Sequence, residues 1–279
     1  MAKYEIKDGV GIIPEGTIKI EENAFEDCVE ITSAIIPNSV REIGKYAFNG
    51  CTGLTSIVIP DSVTEIGWEA FNGCTGLTSI VIPNSVTKIG TSAFYGCTGL
   101  TSIVIPDSVT KVSSSTFKGC SLTSIKVSEG NKKYDSRDNC NAIIDTEANK
   151  LVVGCATTVI PDSVTEIGGD AFNGRKSLTS IVIPDSVTEI EEGAFKGCTG
   201  LTSIVIPKSV KMSIEIFSNC TALETLTLGT GIKKIDASNF EGVNLKVINV
   251  PAKKADFYKQ RLPESLRSLI VELPAEKKK

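Results

Sequence analysis

Residues 54–76 read LTSIVIPDSVTEIGWEAFNGCTG, and residues 77–99 repeat that line with five changes: Asp61 to Asn84, Glu65 to Lys88, Trp68 to Thr91, Glu69 to Ser92 and Asn72 to Tyr95. A fixed period in the twenties is the signature of a solenoid, whose repeats cannot bury an apolar face alone and must stack on their neighbours. Each part of the line has a physical reading. LTSIVI is β-branched and apolar, which predicts a short strand with Leu54, Ile57 and Ile59 inward and Ser56 and Val58 outward. Pro60-Asp61 turns the chain, because proline fixes φ and aspartate bonds to nearby backbone. SVTEIG predicts a second extended segment with Val63 and Ile66 inward. Ala70, Phe71 and Cys74 then recur at one-turn spacing, which predicts a short helix or 3-10 turn.

The period extends in both directions. A degenerate first coil starts near Asp8, residues 31–53 are regular, and a fifth coil starts at Leu100 and ends one residue short. The pattern breaks after Leu122 and resumes at Val159-Ile160-Pro161; inside the break, NAIID and KLVVG flank TEAN and predict a β-hairpin. Insertions map to loops on one face of a solenoid, so residues 128–158 are read either as an enlarged coil with a decorative hairpin or as a binding element. Coils then continue to residue 244, residues 209–217 being one short, and residues 245–251 supply a last strand. The expected architecture is a β-rich solenoid of about ten coils over residues 1–251. A cap helix over residues 252–262 and a solvated lysine tail at 277–279 complete it.

Composition narrows the functional classes. The charge balance of 33 acidic against 29 basic residues, net −4, argues against a nucleic-acid partner, which needs clustered positive charge. No apolar run of membrane-spanning length exists, so no membrane insertion is expected. The opening MAKYEIKDGV lacks the basic-then-apolar pattern of a signal peptide, which leaves a cytoplasmic chain or one whose leader is absent from the sequence. Cys28, Cys51, Cys74, Cys97 and Cys120 recur at the repeat period, with Cys198 and Cys220 in the same slot. In-register stacking puts them roughly 4.7–4.9 Å apart, too far for an easy disulfide, so they read as a buried ladder of small apolar side chains. There is no CxxC pair and no histidine, so no metal site and no cofactor are expected.

The repeat closely resembles the BspA-type leucine-rich repeat, written roughly LtsIxIPxsVtxIgxxAFxgC, over residues 8–251. The interrupted stretch GNKKYDSRDNCNAIIDTEANKLVVGC is also similar to one met in that family. The resemblance implies a right-handed leucine-rich-repeat superhelix. It also implies a bacterial surface or secreted protein that adheres to host extracellular-matrix or other host proteins, with a cytosolic scaffold as the rival reading.

No catalytic constellation emerges. Without histidine, Ser-His-Asp and Cys-His mechanisms are excluded, and no nucleophile elbow, P-loop or dinucleotide fingerprint is present. The acidic residues recur in solvent-facing repeat slots, Asp61, Asp107, Asp162 and Asp185 after the proline and Glu65, Glu166 and Glu189 four residues on, with no reason for a desolvated pair. The expected product is therefore a non-enzymatic, monomeric module that binds another protein. Its candidate surface is the uncharged strand face, Ser56, Val58, Ser79, Val81, Ser102, Val104, Ser180, Val182, Ser203 and Val205, unless these are only favourable β residues facing water. Trp68, Tyr95 and Tyr134 join it because they vary between coils or lie in the insertion. Trp68 reads equally as an exposed anchor and as packing between coils.

Overall fold

Two apolar stripes per repeat, one from the LTSIVI segment and one from SVTEIG, must face each other across a narrow core, and stacking completes the burial. The computed structural model describes residues 2–275 and shows this arrangement: a β-solenoid of about 12 turns with few helices. It divides into two compact units, the first running through Glu147 and taking in Val152–Thr157, the second comprising Ala148–Leu151 and the chain from Thr158 on. The expected lysine tail at 277–279 lies outside the described residues.

In the first unit the LTSIVI column holds the parallel pair Val10–Ile12 with Ser33–Ile35 and the parallel pair Ser102–Ile105 with Ser124–Val127. Residues 56–59 and 79–82 keep the same alternation of exposed and buried positions between them. The second column is a four-stranded parallel ladder, Lys19–Ile20, Glu42–Ile43, Glu65–Ile66 and Lys88–Ile89, each strand two residues long. Strand Glu5–Lys7 folds back antiparallel on Val10–Ile12 and covers the first edge, which would otherwise expose unpaired backbone. Gly67 and Gly90 are required where coils touch: a Cβ on Gly90 would lie 2.5 Å from the Gly67 carbonyl oxygen.

The core is a set of ladders. Phe25, Phe48, Phe71, Phe94 and Phe117 stack with centroids 5.2, 5.2, 5.4 and 5.4 Å apart. Beside them the thiols of Cys51, Cys74, Cys97 and Cys120 each donate to the carbonyl of the phenylalanine one coil back, Phe25, Phe48, Phe71 and Phe94, at 3.0–3.1 Å. All nine cysteines are free and buried. The second unit has the shorter stack of Phe172, Phe195 and Phe217 and the same thiol bonds from Cys198 and Cys220.

The turn after each Gly67-type residue takes the 3-10 alternative in broken form: the N–H groups of Ala70, Asn72 and Cys74 bond back three residues, to Gly67, Glu69 and Phe71, with no continuous helix. Tyr46, Glu69 and Ser92 take positive φ (57°, 51° and 55°), which interrupts any helix after one residue. Alternate N–H groups then bond to the next coil, as Glu69 to Thr91, Phe71 to Ala93 and Gly73 to Tyr95. Among the described residues, regular 3-10 helices in this column are Ser114–Phe117 in the first unit and Ala237–Phe240 in the second.

The insertion contains the expected strands Ala142–Asp145 and Lys150–Gly154, and a strand the sequence did not announce, Tyr134–Asp135, paired antiparallel with Ile144 and Asp145. In the second unit Lys150 and Leu151 pair in parallel with Glu166–Ile167, followed by Glu189–Ile190 and Lys211–Met212. The C-terminal segment corrects the expectation twice. The helix is only Ala255–Lys259, and the solenoid does not stop at Pro251: Ile270–Glu272 pairs in parallel with Val247–Val250 and adds a turn, so the count rises above ten. The reason is that Tyr258 and Leu262 are buried, and Tyr258 Oη donates to the Gly229 carbonyl, so the segment acts as coil core.

Candidate interaction surfaces

On the strand face of the first unit, the pleat turns every second residue outward. Ser56, Ser79 and Ser102 are exposed, and Val58, Val81 and Val104 stand 79%, 79% and 51% exposed. Ile35, 60% exposed, belongs to the same row; it occupies the Val58 slot one repeat earlier and was legible from the period alone. The row ends at Lys126, which replaces valine. Thr55 and Thr64 do not present free hydroxyl protons, because Oγ1 donates to the carbonyls of Thr32 and Arg41 one coil back.

Lys126 leads into a groove of about 400 Å³ at the insertion, also lined by Glu129, Asp135, Arg137, Asn139 and Asn141. Arg137 Nε lies 2.9 and 3.0 Å from the two carboxylate oxygens of Asp135, so these charges compensate each other. Tyr134 is a correction to the candidate surface: it is buried, and its hydroxyl accepts the Val112 N–H at 3.1 Å. Asn131 pulls it inward. The Asn131 amide donates to the carbonyls of Pro106 and Val109 (2.8 and 2.9 Å) and accepts from the N–H groups of Lys133 and Tyr134 (both 2.9 Å).

On the turn ridge Trp68 and Tyr95 are half-exposed. Trp68 both packs and projects: its ring lies 4.9 Å from that of Tyr46, and Lys45 Nζ sits 4.3 Å from its centroid and 4.8 Å from that of Tyr46. Lys45 is also 3.5 Å from Glu22, so the cluster is braced from the preceding coil.

In the second unit the strand face forms a groove of about 590 Å³. Ser180, Val182, Ser203 and Val205 line it, joined by Val159, which holds the Val58 slot where the period resumes. Val159 and Val182 are among the most exposed apolar residues described, and Asp162 and Asp185 form one rim.

The acidic column is used for cohesion. In the first unit Lys19 pairs with Glu42 at 2.6 Å and Lys88 with Glu65. In the second, Lys150 Nζ lies 2.5 Å from Glu166 and 2.6 Å from Glu191, and Glu191 also accepts the Gly169 N–H at 2.7 Å. Burial pushes the Glu166 carboxyl up. For Glu191 burial is outweighed by the Lys150 ammonium and the Gly169 N–H, which hold it low. Burial also pushes the Cys51 thiol up to about 12, which makes it a poor nucleophile. Among the described residues no cluster of three or more Cys, Asp or Glu is placed to hold a metal ion, and no helix is long and apolar enough to cross a membrane.

The model of the BspA type leucine-rich repeat region matches in six copies, over residues 18–144 and 142–262. No curated protein matches the chain. Among solved structures it is similar to a leucine-rich repeat protein of Eubacterium ventriosum, with 27% identity and a TM-score of 0.72, covering 87% of this chain and 66% of that one. A leucine-rich cell surface protein of Faecalibacterium prausnitzii is 26% identical with a TM-score of 0.63, covering 89% and 80%. The pneumococcal vaccine antigen PcpA, at 18% identity, shares the fold, with a TM-score of 0.68 over 96% and 79%. The chain thus spans just under two thirds of the E. ventriosum protein. No catalytic family is indicated. Since the family match runs over most of the repeats described above, the chain belongs to the BspA-type leucine-rich repeat family.

Proposed function

We propose that the chain is a non-enzymatic protein-binding module of a bacterial surface or secreted protein, and that its partner is a host or extracellular-matrix protein. The observation that carries this is the row of outward β-branched side chains on the strand face, Ile35, Val58, Val81 and Val104 in the first unit and Val159, Val182 and Val205 in the second. Scattered exposed apolar residues need no explanation, but a row of them repeated coil by coil within each unit is the kind of patch that marks an interaction site. Its contacts are small and repeated, so affinity would come from area and avidity. The likeness to a cell surface protein of F. prausnitzii supports surface display.

Two measurements test this. Protease shaving of intact source cells, with a cytosolic control, should remove the protein; protection until lysis contradicts surface display. The purified chain should bind at least one member of a panel of purified extracellular-matrix proteins saturably, and binding to none contradicts the matrix partner.

A further inference from the structure

The second unit contains one place where the repeat ladder opens. From Val187 to Phe195 and from Ile232 to Phe240 the chain takes one more residue than from Val210 to Phe217. Register therefore steps back after Lys211–Met212, which is the last strand of its parallel ladder. The N–H groups of Lys211 and Ser213 point back to the carbonyls of Thr188 and Ile190. By alternation the N–H and C=O of Met212 point the other way, and among the described residues neither meets a partner. Coils are tied on either side of this gap, by Ser209 N–H to the Thr230 carbonyl at 2.7 Å and by Asn239 Nδ2 to the Ser213 carbonyl at 3.1 Å.

The gap is a groove of about 660 Å³. Its exposed apolar side chain is Ile214, with Val210 and Met212 buried in the core behind it, and its cations are Lys211, Lys233 and Lys234. Lys211 is paired with Glu189, and the Asp236 carboxylate is engaged by the N–H and hydroxyl of Ser238 at 3.0 and 2.8 Å. Lys233 and Lys234 form no ion pair among the described residues. An unpaired donor and acceptor on a strand edge, the exposed Ile214, and the ammonium groups of Lys233 and Lys234, the latter also facing the Asp236 carboxylate, fit one kind of occupant.

We propose that this groove captures a short acidic peptide segment, which adds to Met212 as a strand and places carboxylates against Lys233 and Lys234. The last three strands of this ladder, Glu166–Ile167, Glu189–Ile190 and Lys211–Met212, are two residues long, so an added strand of that length continues it. Main-chain bonds supply affinity and lysines supply selectivity, as in other strand-addition modes. The site is separate from the valine rows, and strand-face binding can fail without affecting it.

The test uses the full chain and a fluorescein-labelled, acetylated peptide of alternating glutamate and valine, followed by anisotropy at low salt. Binding should weaken by at least about tenfold, the loss expected for removed charge-assisted contacts, in the double variant K233E/K234E. It should weaken similarly when alternate peptide amides are N-methylated, a control that leaves the protein unchanged. Equal binding of the N-methylated peptide, equal binding of a lysine-for-glutamate peptide, or no binding up to about 1 mM would each overturn the proposal.

Discussion

Phe71 and Phe94, one repeat apart in sequence, stack with ring centroids 5.4 Å apart and planes 1° from parallel. Both side chains are fully buried, so each coil takes its core partner from the next. Stability in such an array is a sum of intrinsic and nearest-neighbour terms. Removing one ring exposes a defect to two neighbours.

F71A is therefore expected to cost about 3–5 kcal/mol, while F71L, which keeps most of the volume, costs less. Denaturant unfolding followed by circular dichroism measures both. A midpoint for F71A equal to that of the wild type would contradict the stacked core.

The thiol ladder makes a chemical prediction. Burial pushes Cys51 up to about 12 and Cys74 further still, and both thiols already donate to backbone carbonyls. With a disulfide reagent at about pH 8 the native protein should label slowly, whereas the unfolded chain should titrate all nine thiols. Fast labelling of Cys51 or Cys74 in the native state would contradict this burial.

Much of this was legible in the sequence because the repeat is nearly literal. Ile57, Val63, Phe71 and Cys74 announce their burial by recurring, and Val58 announces exposure by lying between inward neighbours. What escaped depends on single departures. Tyr134 was read outward because nothing in the insertion shows that Asn131 makes four hydrogen bonds that fix the backbone beside it. The positive φ at Tyr46 and Glu69 is also invisible, since neither residue favours that region. The last turn at Ile270–Glu272 was missed because Tyr258 takes a core position where the repeat pattern offers no template.

Asn131 carries the fold of the insertion. N131A strands the buried carbonyls and N–H groups it serves, and is expected to cost about 2–3 kcal/mol. Hydrogen exchange should show the loss concentrated around Tyr134 and Asp135. Uniform exchange throughout the first unit would contradict a local role.

Lys150 between Glu166 and Glu191 gives a signed pH dependence. Glu191, held low, contributes stability above the ordinary glutamate value and loses it as pH falls through its lowered value. Glu166, held high, does the reverse: its contribution is present at low pH and fades as pH rises through its raised value. The gap in melting temperature between wild type and E191Q should therefore shrink from about pH 6 to about pH 3, and E166Q should be better tolerated at the upper end. K150M leaves two facing carboxylates without their cation and is expected to cost about 1–3 kcal/mol near neutrality. An E191Q gap that widens on acidification would contradict the assignment.

The proposed function puts the protein partner on the strand face. Its most direct test is biolayer interferometry of wild type, V58E/V81E/V104E and V159E/V182E/V205E against whichever matrix protein the wild type binds. These substitutions are exposed, and the repulsion between like charges on adjacent coils should cost about 0.2–1 kcal/mol per pair, which leaves the chain folded. At least one triple variant should lose binding by about tenfold or more. Undiminished binding by both variants, with folding intact, would contradict the strand face as the site.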